Sequence, residues 1–204
     1  MVDLLTEDGQ ARLKAAVAEA ERRTSAEIVV MIMRRSTDYR AVELMAAAIL
    51  ALALPAALLP FTFIPALYIW AAQIVLFVGL ALSLPALALG RYLVGGERVT
   101  RDVEAGARAE FFAHGLRRTK ARAAILLYVT LQEHRVQVLF DDAAQGIVPQ
   151  DVWSELADTI ATKMKSGDAL TGLEDAVGKV ADLLEADLPP PDDKGDELPN
   201  VIVG

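Results

Sequence analysis

Between Leu44 and Gly90 the chain carries no Asp, Glu, Lys or Arg. An apolar run of about 18 residues or more reads as a membrane-spanning helix, and this block is about 47 residues long. One helix of that length would extend roughly 70 Å, more than twice a hydrocarbon core of about 30 Å. Two helices joined by a tight turn fit instead. Pro60 and Pro65 bracket Phe61, Thr62, Phe63 and Ile64, and proline suits helix ends. Phe61, Phe63, Tyr68 and Trp70 gather around the same point, as aromatic residues do at headgroup level. The expected spans are therefore residues 42–60 and 67–90, with a short outer turn at 61–66. A chain of 204 residues is too short to surround two such helices inside a soluble core.

Cations near the span ends set orientation. Arg34, Arg35 and Arg40 precede the first span, Arg91, Arg98, Arg101 and Arg108 follow the second, and the turn has none. The expectation is a multi-pass protein of the cell (inner) membrane with both termini cytoplasmic. Pro55 and Pro85 are expected kinks. Gln73, the side-chain amide of the block, is expected to bond across the hairpin or to backbone.

The rest of the chain, about 157 residues, is enough for one self-sufficient core. The net charge of −8 argues against nucleic acid, whose binders need a basic surface. With no cysteine there is no disulfide framework and no thiolate chemistry. The segment Val2–Arg23 is too charged to read as the apolar region of a cleaved leader.

Thr6 reads as a helix N-cap, with Leu13, Val17 and Ala20 at helical spacing behind it. Residues 28–33 are a continuous apolar, β-branched run, the signature of a strand buried on both faces. Beyond the hairpin, Val99, Val103, Ala107, Phe111 and Leu116 predict a helix through about Arg118. Residues 123–129 predict a second buried strand. Val136, Val138 and Phe140 alternate with Arg135, Gln137 and Leu139 in a third, half-exposed strand, joined by a short turn that lacks the usual Gly or Asn. A helix follows Pro149, another starts near Asp168, and Pro189–Pro191 end it. The tail beyond is acidic and expected to be flexible. The order implies an α/β domain: a small three- to four-stranded sheet flanked by helices, with a two-helix transmembrane hairpin inserted in the crossover between two parallel strands. Residues 1–41 and 91–188 form the two parts of that domain, and 189–204 the tail.

Three stretches carry a resemblance. They are Arg23-Thr24-Ser25-Ala26-Glu27-Ile28-Val29-Val30, then Gly115–Arg122 running into the strand to Leu131, and Gly146-Ile147-Val148-Pro149-Gln150-Asp151-Val152-Trp153. Together they resemble the TPM domain family, and most closely a membrane-anchored bacterial subgroup with two spans inside the domain and a Glu-Leu-Pro tail, here Glu197-Leu198-Pro199. The family includes a thylakoid lumen acid phosphatase, photosystem II repair factors and a nematode receptor modulator. The resemblance thus implies a fold more than a reaction. This chain departs from it at Ala124, where members often have Gly, and at Arg117, where the subgroup often has His.

No phosphate-binding loop, zinc-protease motif, EF-hand loop or nucleophile elbow is present. The two histidines, His114 and His134, read as surface residues. Asp141 and Asp142 follow a strand, and Asp151 and Glu155 open a helix. Such carboxylates can hold Mg²⁺ or Ca²⁺, or they can be a solvated turn and a dipole-favoured helix start. Arg117, Arg118, Lys120 and Arg122 can meet anionic headgroups, at about 1 kcal/mol per cation. Two functions remain: a binding, assembly or quality-control module for other membrane proteins, without catalysis, and a metal-assisted phosphatase. The expected partners are the lipid bilayer and other membrane proteins.

Overall fold

The computed structural model describes residues 2–36, 38–58, 65–87, 89–119, 121–190 and 198–204, with the backbone alone at Val2, Asp3, Arg91 and Arg118. Two compact units emerge: residues 1–36 with 100–204, and residues 37–99.

The first unit is built on a four-stranded sheet in the order β3-β2-β1-β4. The strands are β1 (Glu27–Met33), β2 (Ala124–Thr130), β3 (Arg135–Phe140) and β4 (Val201–Val203). β1 runs parallel to β2, with Ile28 opposite Ile125, and β3 returns antiparallel, with Phe140 opposite Ile125. The expected parallel pair and hairpin are both present. The hairpin turn lacks Gly because His134 itself takes the left-handed conformation, φ +50°.

Alternate residues of the two central strands face opposite layers. Ile28, Val30 and Ile32, with Ile125, Leu127 and Val129, point into a core filled from α1 (Glu7–Glu21), α6 (Gln150–Ser166) and α7 (Ala169–Leu184). Leu13 and Val17, Trp153 and Ile160, and Leu173, Val177 and Leu184 are the apolar stripes of those helices. The Trp153 ring stacks on Phe140 at 5.7 Å. Val29, Met31, Leu126 and Tyr128 are equally buried on the other face. There α5 (Gly96–Ala113) brings Gly106 against the Tyr128 hydroxyl, so close that a Cβ on Gly106 would lie 2.9 Å from it.

Three differences from the sequence expectation have local causes. α5 ends at Ala113 rather than near Arg118, because Gly115 adopts φ +66° and the chain tightens into a 3₁₀ turn over Leu116–Arg118. The tail is not wholly free: Val201–Val203 pair in parallel with Val30–Ile32. Bonds from Val30 N–H to Asn200 O, 2.9 Å, and from Gly204 N–H to Ile32 O, 3.0 Å, satisfy β1 backbone groups that would otherwise form an open edge. Residues 191–197, which include Glu197 and all the tail's other acidic residues, lie outside the described residues. The second long apolar helix ends at Ala86, short of Gly90, where Pro85 and a Leu87 N–H bonded back to Ser83 O close it.

The second unit holds α2 (Arg40–Leu58) and α3 (Ala66–Ala86), followed by the short α4 (Gly90–Leu93). By length and composition both long helices suffice to cross a membrane: mean hydropathy is 2.2 and 2.1, and only 17% and 6% of their apolar windows are buried. The turn expected at 61–66 lies largely outside the described residues, as do Pro60, Phe61 and Phe63. Pro55 and Pro85 lie inside α2 and α3. A buried carboxylate ties the hairpin at its base. Glu43 Oε1 accepts a hydrogen bond from Gly90 N–H at 3.1 Å. Only glycine fits there, since a Cβ would fall 2.4 Å from Tyr39 Cβ.

Candidate functional site

The sequence places Asp141 and Asp142 after β3, and the fold decides which end of the sheet that is. β3 is antiparallel to β2, which runs parallel to β1, so its carboxyl end lies at the amino ends of β1 and β2. The rule that ligands gather at the carboxyl ends of parallel strands therefore does not apply here. The loop entering β2 meets these aspartates instead. Asp141 N–H donates to Ala124 O at 2.9 Å and Ala143 N–H to Arg122 O at 3.0 Å. Arg122 is held at φ +48°. Buried Leu116 and Thr119 fasten the other half of the loop.

This lacing turns the basic stretch onto the acidic one. Arg117 Nε reaches Asp141 Oδ1 at 3.4 Å, and its Nη2 reaches Asp142 Oδ1 at 3.2 Å. Arg122 bonds to the other oxygen of Asp142. The Arg117 guanidinium also lies 6.0 Å from the Phe112 ring centroid, a cation–π distance. The Asp141 side chain is fully buried, whereas Asp142, Arg117 and Arg122 are about half exposed (50%, 47% and 57%). Arg117 therefore supplies the counter-charge that a buried carboxylate requires. Its guanidinium, with five donors, keeps some of them toward solvent.

Strand register adds a residue that the sequence reading used only as part of the resemblance. Glu27 lies opposite Ala124 on one side, and Asp141 bonds to Ala124 on the other. Two buried acids thus flank one small side chain in a single row. Asp141 Oδ2 and Thr119 Oγ1 are buried with no hydrogen-bond partner among the described residues. Nothing in local spacing announces this row, because Glu27 and Asp141 are 114 positions apart in sequence.

Asp151 and Glu155 are placed differently. They lie on the exposed outer face of α6, alongside Asp158 and Lys163 in an open groove. Among the described residues no three His, Asp or Glu side chains converge as a metal site. His114 pairs with Glu110 one turn back, at 3.3 Å on the surface. The Arg118 side chain and Lys120 lie outside the described residues. The Arg23–Glu27 stretch has structural work. Arg23 bonds to Asp182 and Glu185 at 2.5 and 2.6 Å, which raises its pKa. Thr24 Oγ1 donates to Leu188 O at 2.7 Å, fixing the turn that follows α7 beside the start of β1.

Comparison with known proteins agrees with this architecture. Residues 95–183 match the family model of the TPM domain. That match opens after the apolar hairpin, so α1 and β1 fall outside it although β1 is a central strand of the same sheet and α1 packs into the same core. The solution NMR structure of the BA42 protein from the psychrophilic bacterium Bizionia argentinensis is similar, with a TM-score of 0.59 at 18% identity, covering 98% of this chain and 94% of that one. At that identity the likeness concerns the fold. No curated protein matches the chain by sequence.

Proposed function

We propose, from the premise that residues 95–183 carry a TPM domain, that the chain is a multi-pass protein of the inner membrane. Its α/β unit works on the cytoplasmic side as a binding, assembly or quality-control module for other membrane proteins. The two apolar helices support the anchor, and the arginines flanking them support the orientation.

The observation that carries the binding reading is the Arg117–Arg122–Asp141–Asp142 cluster. Its acids are already engaged by guanidiniums, and those guanidiniums stay about half exposed. A carboxylate on a partner can replace Asp142 on Arg117 and Arg122 by a like-for-like exchange of charge-assisted bonds. Buried Asp141 meanwhile keeps Arg117 in place.

The test is in-cell crosslinking from positions around the cluster, followed by identification of the captured proteins. A recurrent membrane-protein partner that disappears in Arg117→Ala/Arg122→Ala supports the module. Capture that is unchanged by that double substitution refutes the assigned surface. Protease added outside intact cells should leave the C-terminal residues in place, and their removal would overturn the orientation.

A second reading, a metal-assisted phosphatase, is favoured by buried Asp141 Oδ2, which lacks a hydrogen-bond partner among the described residues. Mg²⁺ or Ca²⁺ fits this arrangement poorly as it stands, because Arg117 and Arg122 occupy the aspartates. A cation would have to displace their guanidiniums. Cation-dependent turnover of a generic phosphomonoester, lost in Asp141→Ala, would establish this alternative.

A further inference from the structure

Within the apolar helix α3 the carboxamide of Gln73 finds no hydrogen-bond partner among the described residues. Gln73 is the eighth residue of α3, Ala66–Ala86. At 1.5 Å per residue its Cα sits about 10 Å along a helix roughly as long as the hydrocarbon core is thick. On the membrane reading proposed above, on which this inference rests, the carboxamide lies inside the apolar layer. Gln73 makes no hydrogen bond to any described residue, contrary to the bond across the hairpin or to backbone that the sequence suggests. The reason is visible in the neighbouring helix. The residues facing it from α2 include Ala48 and Ala51, which have no polar side-chain atom, and the α2 backbone is committed to its own helix.

The amide instead opens onto a groove of about 350 Å³ on the hairpin surface, walled by Ala48 and Ala51 on one helix and by Trp70, Ile74 and Phe77 on the other. An amide without a partner in hydrocarbon is costly, and water is not there to satisfy it. Lipid tails can fill the groove but offer neither donor nor acceptor. A carboxamide is donor and acceptor at once, so the simplest complement to Gln73 is another Gln73 brought to it by a two-fold axis. An isologous interface requires that self-complementarity. The small side chains Ala48 and Ala51 let backbones approach, and the aromatic rim of Trp70 and Phe77 supplies contact area.

We infer that this groove is a self-association surface, in which the hairpins of two copies pair around a Gln73–Gln73 hydrogen bond.

Because the chain has no cysteine, single-cysteine crosslinking in native membranes tests this directly. Phe77→Cys reports the groove, and Val75→Cys, 72% exposed on the other side of α3, is the control. The expected result is disulfide-linked dimers of Phe77→Cys and little product from Val75→Cys. Adding Gln73→Leu to Phe77→Cys should weaken self-association by roughly five- to thirtyfold, equivalent to about 1–2 kcal/mol. Gln73→Asn, which keeps an amide, should restore much of it. Equal crosslinking on both faces, monomers throughout, capture of a different protein at Phe77→Cys, or indifference to Gln73→Leu would each overturn the inference while leaving the anchor intact. Alkaline carbonate extraction of the wild-type chain separates the two failures, since release from the membrane sinks both the anchor and the paired hairpins.

Discussion

Gly106→Ala ought to be a stabilising change in most helices, since Ala is favoured over Gly in a helix interior by about 0.8–1 kcal/mol. Here the new Cβ would stand 2.9 Å from the Tyr128 hydroxyl oxygen, while the next atoms, Tyr128 Cζ and Ser36 Cβ, are at ordinary contact distances of 3.5 and 3.6 Å. The Tyr128 ring is 2% exposed and held in the second strand of the sheet, so it cannot swing freely away. Overpacking of this kind costs about 1–3 kcal/mol. The net expectation is a loss of up to about 2 kcal/mol. In a Tyr128→Phe background the offending oxygen is gone and the same substitution should gain up to about 1 kcal/mol, a change of sign. The coupling between the two sites is then about 1–3 kcal/mol, well above the roughly 0.5 kcal/mol scatter of independent sites. Urea denaturation in detergent micelles, followed by Trp153 fluorescence, measures it. Trp70→Phe removes the other of the two indoles. An equal effect of Gly106→Ala in both backgrounds would show that the helix over residues 96–113 does not lie against Tyr128, and the account of the sheet's second face would fall.

Other outcomes can be checked on the same preparation. Trp153→Ala removes a 1%-exposed ring stacked on Phe140 and should cost about 3–5 kcal/mol in denaturation free energy. Arg117→Ala strands the buried Asp141 carboxylate and should cost about 1–3 kcal/mol, whereas Asp142→Ala removes a half-exposed ion-pair partner and should cost less than about 1 kcal/mol. The reverse ranking would refute the assignment of Arg117 as counter-charge. Alkaline titration should destabilise the fold through Tyr128, whose pKa is pushed up to about 12, first by burial and then by Glu110 and Glu133. The unfolded phenol loses its proton near its ordinary value of about 10, so between these two values the unfolded state binds fewer protons and stability falls as pH rises. Tyr128→Phe should flatten that part of a stability–pH profile, and an unchanged slope would remove Tyr128 from the account.

The legible parts of this protein were those set by local pattern. The uncharged run from Leu44 to Gly90 dictated two long apolar helices, because no other arrangement of that many apolar residues is compatible with so short a chain. Continuous β-branched runs gave the two central strands, and 3.6-residue spacing gave the helices that cover them. What stayed hidden depends on partners distant in sequence. Val201–Val203 are too few to read as a strand, and only the open edge of the first strand makes them one. A single left-handed glycine, Gly115, ended a helix whose apolar spacing ran on to Leu116.

At the candidate site the sequence supplied the residue types, and the tertiary structure decided their meaning. Asp141, Asp142, Arg117 and Arg122 read separately as a cation-binding turn and a membrane-facing basic patch. Folding brought them onto one another, because the loop entering the second strand and the loop leaving the third meet at the same end of the sheet. Glu27 joined them by register alone. Opposite charges close in space neutralise each other whatever their separation along the chain, and that separation is all a sequence records.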